Sequence, residues 1–280
     1  MKSYVKEMRV KSWIKNVFVF VPLVFALELR NAEKLLATLI AFAAFCLVSS
    51  AIYVFNDICD ADKDATHPIK RARPIASGAI SKRSAAVFAA LLAIAGIAVG
   101  ASVGVSAVVL IAAYTMLNLL YSLWLKHIPV LDCFCVATGF VLRVYTGGAA
   151  SGEHISDWLF LTVAAASLFM AFGKRRGELL KVGDTATRKV LRLYDAVFLN
   201  GMVFVCAGLS IVFYALWAMY RGSNMIYTVP IILFLVSKYL LLIHNSDSHG
   251  DPMTVVFEDK ILLLSCAAYA LLVILFLYVV

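Results

Sequence analysis

Apolar windows long enough, or nearly long enough, to cross a bilayer recur along the whole chain, at about 13–29, 35–56, 84–101, 104–123, 129–150, 156–173, 195–219, 225–243 and 260–280. In hydrocarbon every backbone N–H and C=O must be satisfied within the protein, which a helix of about 20 apolar residues achieves by itself. Hydrophobic residues make up 63% of the 280 and charged residues only 15%, too little polar surface for a water-soluble domain of this size. The expected fold class is therefore all-α, a polytopic membrane protein of about nine transmembrane helices, in one domain spanning 1–280. The first window is short and contains Pro22, which predicts a kinked or partly interfacial segment. The boundary between the third and fourth windows falls in the Gly100–Gly104 region.

Lys and Arg occupy alternate connections. The N-terminal segment carries Lys2, Lys6, Arg9, Lys11 and Lys15, and the second connection Lys63, Lys70, Arg71, Arg73, Lys82 and Arg83. The fourth has Lys126, and the sixth has Lys174, Arg175, Arg176, Lys181, Arg188, Lys189 and Arg192. The intervening connections hold only Arg30, Lys34 and Arg221. Since basic loops stay on the cytoplasmic side, the pattern predicts a cytoplasmic-membrane protein with its N-terminus inside and its C-terminus outside. The net charge of +8 is then a topology signal, with anionic lipid or substrate as a second use, and does not imply nucleic acid. Nearly all titratable groups lie in the inner connections, so chemistry is expected to face the cytoplasm. The basic start has no small-residue cleavage site and does not read as a removable signal peptide. Cys46, Cys59, Cys133, Cys135, Cys206 and Cys266 are scattered, form no paired CxxC frame, and read as reduced packing residues.

One stretch breaks the apolar pattern with acid. "NDICDADKD", Asn56 to Asp64, follows the second window directly. If the helix continues at about 100° per residue, Asn56, Asp57, Asp60 and Asp64 share an arc of about 100°. Like charges on one face near a membrane repel, and a hard divalent cation removes that cost. Mg²⁺ prefers oxygen ligands, takes one or two from protein and completes its shell with water and phosphate. His67, Lys70, Arg71 and Arg73 follow at once, bases suited to the phosphates that such a metal would bridge. The alternative is a solvated helix end whose aspartates pair with neighbouring cations.

The acidic stretch resembles the first Asp-rich motif of the UbiA superfamily of intramembrane prenyltransferases. That resemblance implies nine helices around a central cavity, with Mg²⁺-diphosphate at the cytoplasmic mouth. Members that ionise an allylic diphosphate carry a second Asp-rich motif after the sixth helix. Here that connection reads "FGKRRGELLKVGD", Phe172 to Asp184, with Lys174, Arg175 and Arg176 in place of acids and Glu178 nearby. A basic cluster binds phosphate directly, with Arg suited to forked contacts. Simple positive-inside anchoring explains the same residues without a ligand.

"SWIKN" (12–16), "HPIKRARPIASG" (67–78), "YSLWLKHIPVLD" (121–132), "GFVLRVYTGG" (139–148), "SLFMAFGKRRGEL" (167–179) and "GDPMTVVFEDK" (250–260) resemble the decaprenyl-phosphate phosphoribosyltransferase branch of the superfamily. The resemblance implies Mg²⁺-dependent transfer of 5-phosphoribose from phosphoribosyl diphosphate to a polyprenyl phosphate, with release of diphosphate. On it, Asn56, Asp57, Asp60 and Asp64 hold the metal and orient the donor, none of them acting as a base. Lys70 and Arg73 reach phosphates. Lys126, Lys174 and Arg175 are candidates for the sugar 5-phosphate or lipid phosphate, and Tyr121 for a hydrogen bond to either ligand. Arg143, mid-helix in an apolar run, is expected to meet an anion or carboxylate. Lys15, Glu178, Asp251 and Asp259 complete the candidates, while His244 and His249 read as loop residues without metal spacing. Two further readings stay open: an aromatic prenyltransferase of the same fold, and a non-catalytic membrane transporter.

Overall fold

The computed structural model describes residues 2–66, 68, 70–182, 189–221, 224–245 and 252–279. His67, His249 and Asp251 lie outside the described residues. Eight helices among them are long and apolar enough to cross a membrane, and they account for every sequence window except the first. The protein is an all-α, multi-pass membrane protein.

The first window differs from a plain helix. Residues Val10–Phe20 form a 3₁₀ helix of 11 residues that runs into a short α-helix, α2 (Val21–Phe25), with Pro22 at its start. Pro lacks the N–H that an interior helical turn needs but fits a helix start, so the change of helix type falls where the proline allows it. At about 2.0 Å per 3₁₀ residue and about 1.5 Å per α residue the pair reaches about 30 Å, the thickness of a hydrocarbon core. With the eight long helices it makes up the ninth apolar element.

The chain divides into two compact units. The first, residues 1–126 and 139–155, contains α1 (Lys2–Glu7), the 3₁₀ segment, α2, α3 (Ala32–Ala65), α4 (Lys82–Ala101) and α5 (Val105–Leu123). It also takes most of α6 (Leu131–Ser151). Helix α3 has 34 residues and is capped by Asn31, whose side chain accepts the Lys34 N–H at 3.3 Å. Ser81 caps α4 in the same way. The core of this unit is Phe45, Val48, Ile111 and Tyr114 with alanines between them, so that small residues on α3 and α4 let the backbones approach. Gly147 on α6 shows how close such approaches are: a Cβ built there falls 1.8 Å from the Val19 carbonyl oxygen. Lys34 pairs with Glu28 at 2.8 Å and with Glu153 at 2.6 Å, fastening the start of α3 to the chain beyond α6.

The second unit, residues 127–138 and 156–280, contains the first turns of α6, then α7 (Asp157–Val182), α8 (Ala196–Arg221), α9 (Val229–Asn245), α10 (Pro252–Glu258) and α11 (Lys260–Tyr278). Its core is built on Phe169, Phe172, Leu199, Val203 and Tyr239. All six cysteines are free, as expected, and four are buried, but Cys59 is exposed on α3.

Candidate functional site

Helix α3 runs without a break through Ala65, so the acidic stretch is helical and Asp57, Asp60 and Asp64 lie on one face. Asp57 and Asp64 are buried, at 2% and 4% exposure, and Asp60 and Asn56 are half-buried. Asp62, off that face, is exposed and pairs with Lys82 at 2.8 Å.

Each of the three inward carboxylates is met by a cation. Arg73 donates from Nη1 to Asp57 Oδ1 at 2.9 Å and to Asp64 Oδ2 at 2.5 Å. Arg9 donates from Nη2 to both oxygens of Asp57, at 2.5 and 2.6 Å. Lys126, itself buried, donates from Nζ to Asp60 Oδ1 at 2.7 Å. Three acids and three bases therefore close on one another with no net charge, which is how buried ions are tolerated. Arg9 has a left-handed backbone, φ 50°, uncommon for a residue with a side chain; its guanidinium also lies 5.3 Å from the Tyr53 ring centroid.

A fourth acid belongs to this group. Glu7, at the end of α1, is 2% exposed and accepts the Ile75 N–H at Oε1, 3.1 Å away. Burial, then the charge of Asp57 and a hydrogen bond to it, push the Glu7 carboxyl from 4.5 up to about 7, against opposing pulls from the Ile75 N–H and Arg9. Lys6 Nζ donates to the Ala72 carbonyl at 3.1 Å, and the Tyr4 hydroxyl meets Ser84 Oγ at 2.5 Å. The short N-terminal helix thus pins the connection that carries Arg73. Pro74, Ile75 and Ile80 anchor that connection from its apolar side, and Lys70 is half-buried on it.

The donor chemistry suits a hard divalent cation. Two carboxylate oxygens, from Asp57 and Asp64, already converge on a single positively charged nitrogen of Arg73. Among the described residues no three acidic, His or Cys side chains come together as a complete metal cage. Asp57 and Asp64 would hold such a cation through one or two carboxylate oxygens, as suits Mg²⁺, which ordinarily keeps water or phosphate oxygens besides its protein ligands.

Arg143 is buried, and in place of the expected anion or carboxylate its partners are neutral. Nε donates to Asn16 Oδ1 at 2.8 Å, Nη1 to the Gly139 carbonyl at 2.7 Å and Nη2 to the Tyr114 hydroxyl at 2.9 Å. The rings of Phe45, Tyr114 and Phe140 surround it at 4.8 to 5.5 Å. Carbonyl and amide dipoles with aromatic faces take the place of the expected carboxylate. Asn16, from "SWIKN", also donates to Ser49 Oγ at 3.1 Å. Lys15 is half-buried beside it on the 3₁₀ segment, and Tyr121 is half-buried near the end of α5.

In the second unit the basic run on α7 does not act as one patch. Arg176 turns into the helix packing, donating from Nε to Asn200 Oδ1 at 2.5 Å and from Nη1 to the Ile243 carbonyl at 2.9 Å. Arg175 is buried between two acids: Nη1 donates to Glu178 Oε2 at 2.7 Å, and Nε lies 3.6 Å from Asp132 Oδ2. Lys174 is half-buried. Asp132, absent from the sequence-based candidates, is 1% exposed and accepts the Tyr194 phenol at Oδ1, 2.6 Å away. Burial, then that bond to Asp132, raises the Tyr194 phenol well above its ordinary range. Asp259 is a cap: it accepts the Leu262 N–H at 2.7 Å, pairs with Lys238 at 3.0 Å, and is held below the usual carboxylate range by those two groups in that order. His244 lies in the last turn of α9 rather than in a loop, its ring stacked on Phe204.

The all-α arrangement of long apolar helices is the fold of UbiA homologues of known structure. The fold superposes on a UbiA homologue from Archaeoglobus fulgidus, solved with GPP and Mg²⁺, with a TM-score of 0.78 at 16% identity, covering 97% of this chain and 99% of that one. The chain belongs to the UbiA prenyltransferase family, whose model matches residues 17–257. It is similar to the decaprenyl-phosphate phosphoribosyltransferase of Corynebacterium glutamicum, 34% identical, covering 98% of this chain and 86% of that protein. It is also similar to the enzyme of that name from Mycolicibacterium smegmatis, 33% identical, covering 92% and 87%.

Proposed function

We propose that the protein transfers 5-phosphoribose from phosphoribosyl diphosphate to a polyprenyl phosphate, releasing diphosphate, with Mg²⁺ as cofactor, at the cytoplasmic face of the membrane. The observation that carries this reading is the closed set of Asp57, Asp60 and Asp64 with Arg9, Arg73 and Lys126. A metal diphosphate would suit both halves of that set, the acids holding the metal and the bases the phosphate. The names of the relatives, with Lys174 and Arg175 where a second acidic motif is expected, favour a phosphoribosyl donor and a lipid phosphate over an allylic diphosphate.

In the reaction an oxygen of the lipid phosphate bonds to C1 of the ribose as the C1–O bond to diphosphate breaks, the electron pair leaving with the diphosphate. The attacking oxygen is already ionised, so no side chain has to remove a proton. Mg²⁺, when bound, neutralises charge that develops on the leaving group. Asn56, Asp57, Asp60 and Asp64 hold and orient that end of the donor. Arg73 and Arg9, released from their carboxylates, turn to phosphate oxygens, with Lys70 alongside, and their charge stabilises the departing diphosphate. Lys126, with Tyr121 near it in sequence, takes a second phosphate. Lys174 and Arg175 serve the sugar 5-phosphate or the lipid phosphate.

The test is transfer of label from phosphoribosyl diphosphate, radiolabelled in the ribose, into an organic-soluble product by purified protein. Polyprenyl phosphates of several lengths serve as acceptors, with Mg²⁺ or excess chelator. Mg²⁺-dependent labelling of the lipid is expected. No labelling, with turnover of a polyprenyl diphosphate on an aromatic acceptor instead, overturns the reading.

A further inference from the structure

Arg73 stands on a connection with little regular structure, yet its guanidinium bridges two acids on another element. Among the described residues the 3₁₀ turn Lys70–Ala72 is the connection's one piece of helix. A long side chain on a loose loop has no fixed aim, so the backbone at Arg73 has to be held. Each backbone polar group from the Ala72 carbonyl to the Ile75 carbonyl has a partner, as buried main chain requires. The Arg73 N–H donates to the Lys70 carbonyl at 2.9 Å, and the Arg73 carbonyl accepts the Ser77 N–H at 2.9 Å. The Pro74 and Ile75 carbonyls accept the Ile80 and Gly78 N–H groups, both at 3.1 Å. Pro74 has no N–H to place. Two groups are left, the Ala72 carbonyl and the Ile75 N–H, one on each side of Arg73 and Pro74. Adjacent side chains of α1 take them: Lys6 Nζ donates to the first at 3.1 Å, and Glu7 Oε1 accepts the second at 3.1 Å.

The same N-terminal segment touches the face that Arg73 reaches. Arg9, two residues beyond α1, has φ 50° and ψ 50°, a conformation that a residue with a side chain keeps only where its surroundings enforce it. Its guanidinium grips both oxygens of Asp57. Tyr4 ties α1 to the start of α4, through Ser84 Oγ at 2.5 Å and the Phe88 ring at 5.0 Å between centroids. One short segment is thus bonded to both of the parts that Arg73 joins, to the connection through Lys6 and Glu7 and to α3 through Arg9.

We infer that Lys6 and Glu7 are positioning residues: by gripping the backbone on both flanks of Arg73, they hold its guanidinium where it can take a phosphate of the donor's diphosphate. Neither touches substrate. The assignment rests on the proposed function for the phosphate that Arg73 takes, whereas the grip itself is read from the backbone bonds alone.

A residue that acts through Arg73 loses its effect once Arg73 is gone, whereas one that merely supports the fold weakens binding with or without it. The test is a double-mutant cycle on the affinity of the purified full chain, in detergent with Mg²⁺, for inorganic diphosphate, read by calorimetry. Glu7→Ala leaves the Ile75 N–H unpaired and is expected to weaken binding about tenfold, the scale of one hydrogen bond of about 1.4 kcal/mol. Lys6→Met is expected to weaken it about threefold, because Lys6 is exposed and water can replace it at the Ala72 carbonyl. Beside Arg73→Gln, both effects are expected to shrink below about twofold. Glu7→Gln keeps an acceptor for the Ile75 N–H and is expected to recover most of the loss seen with alanine. Effects that persist at full size beside Arg73→Gln overturn the assignment, as does unchanged binding in Lys6→Met or a wild type that binds no diphosphate. Glu7 also hydrogen-bonds Asp57, whereas Lys6 bonds to the backbone, so the Lys6 cycle decides the matter even if Glu7→Ala fails to fold or disturbs Asp57. Absence of phosphoribosyl transfer by wild type, with the cycle intact, removes the substrate reading and leaves the positioning role standing.

Discussion

Glu7→Gln isolates the acid that the buried cluster adds to the α3 face. Folding carries the Glu7 carboxyl from 4.5 to about 7, so the folded chain binds this proton more tightly than the unfolded one. Its stabilising contribution is complete below about pH 4.5 and is lost as the pH rises through about 7. At about 1.4 kcal/mol per pH unit of displacement, the loss above neutrality approaches about 3 kcal/mol. Glutamine keeps the geometry of the protonated acid, with its carbonyl accepting the Ile75 N–H and its amide donating toward Asp57, and carries no charge to lose. In chelator-treated protein, wild type should therefore melt lower than the variant at pH 8, by roughly 5–10 °C for a chain of this size. The two should converge near pH 5. Intrinsic fluorescence melting in detergent from pH 5 to 8.5 reads both curves. Parallel curves, or a variant less stable than wild type at pH 8, would show that Glu7 is ionised throughout and serves Arg9 and Arg73 instead.

Two further outcomes follow from the same geometry. Arg73→Gln frees Asp57 and Asp64 from the nitrogen that bridges them, so Mn²⁺ affinity of the donor-free protein should rise at least about tenfold while affinity for phosphoribosyl diphosphate falls; paramagnetic titration measures the first and calorimetry the second, and loss of metal affinity would refute the bridging role. Gly147→Ala places a methyl on the Val19 carbonyl oxygen at 1.8 Å, a backbone contact that cannot rotate away, and should destabilise by about 1–3 kcal/mol or more, read as a lower melting temperature with no pH dependence.

The elements that the sequence disclosed are those written in local spacing. Apolar runs of helical length identified the membrane helices, and the period of Asn56, Asp57, Asp60 and Asp64 identified a single helical face, because both follow from neighbours within a few turns. Arg9 and Glu7 were hidden in a basic N-terminal segment that reads as a topology signal; their partners, Asp57 and the Ile75 N–H, lie 48 and 68 positions away. Asp132 carries no local signal of its role, since Tyr194, which binds it, lies 62 positions on. The run Lys174–Arg176 is uniform in sequence and divided in space, because successive residues on a helix point about 100° apart: Arg175 meets acids and Arg176 meets neutral acceptors. Pro22 signalled an irregular first segment but could not specify a 3₁₀ helix. Arg143 was expected to meet an anion or carboxylate, and nothing local showed that rings and dipoles would stand in for a counterion.

Helix α3 is a stiff rod: its 34 residues, at about 1.5 Å each, extend about 51 Å, well beyond an apolar layer of about 30 Å. One uninterrupted piece serves both as membrane anchor and as the arm that lifts Asp57, Asp60 and Asp64. Adding or deleting a single residue between anchor and arm would swivel all three acids by about 100° at once, with no flexible joint to absorb the error.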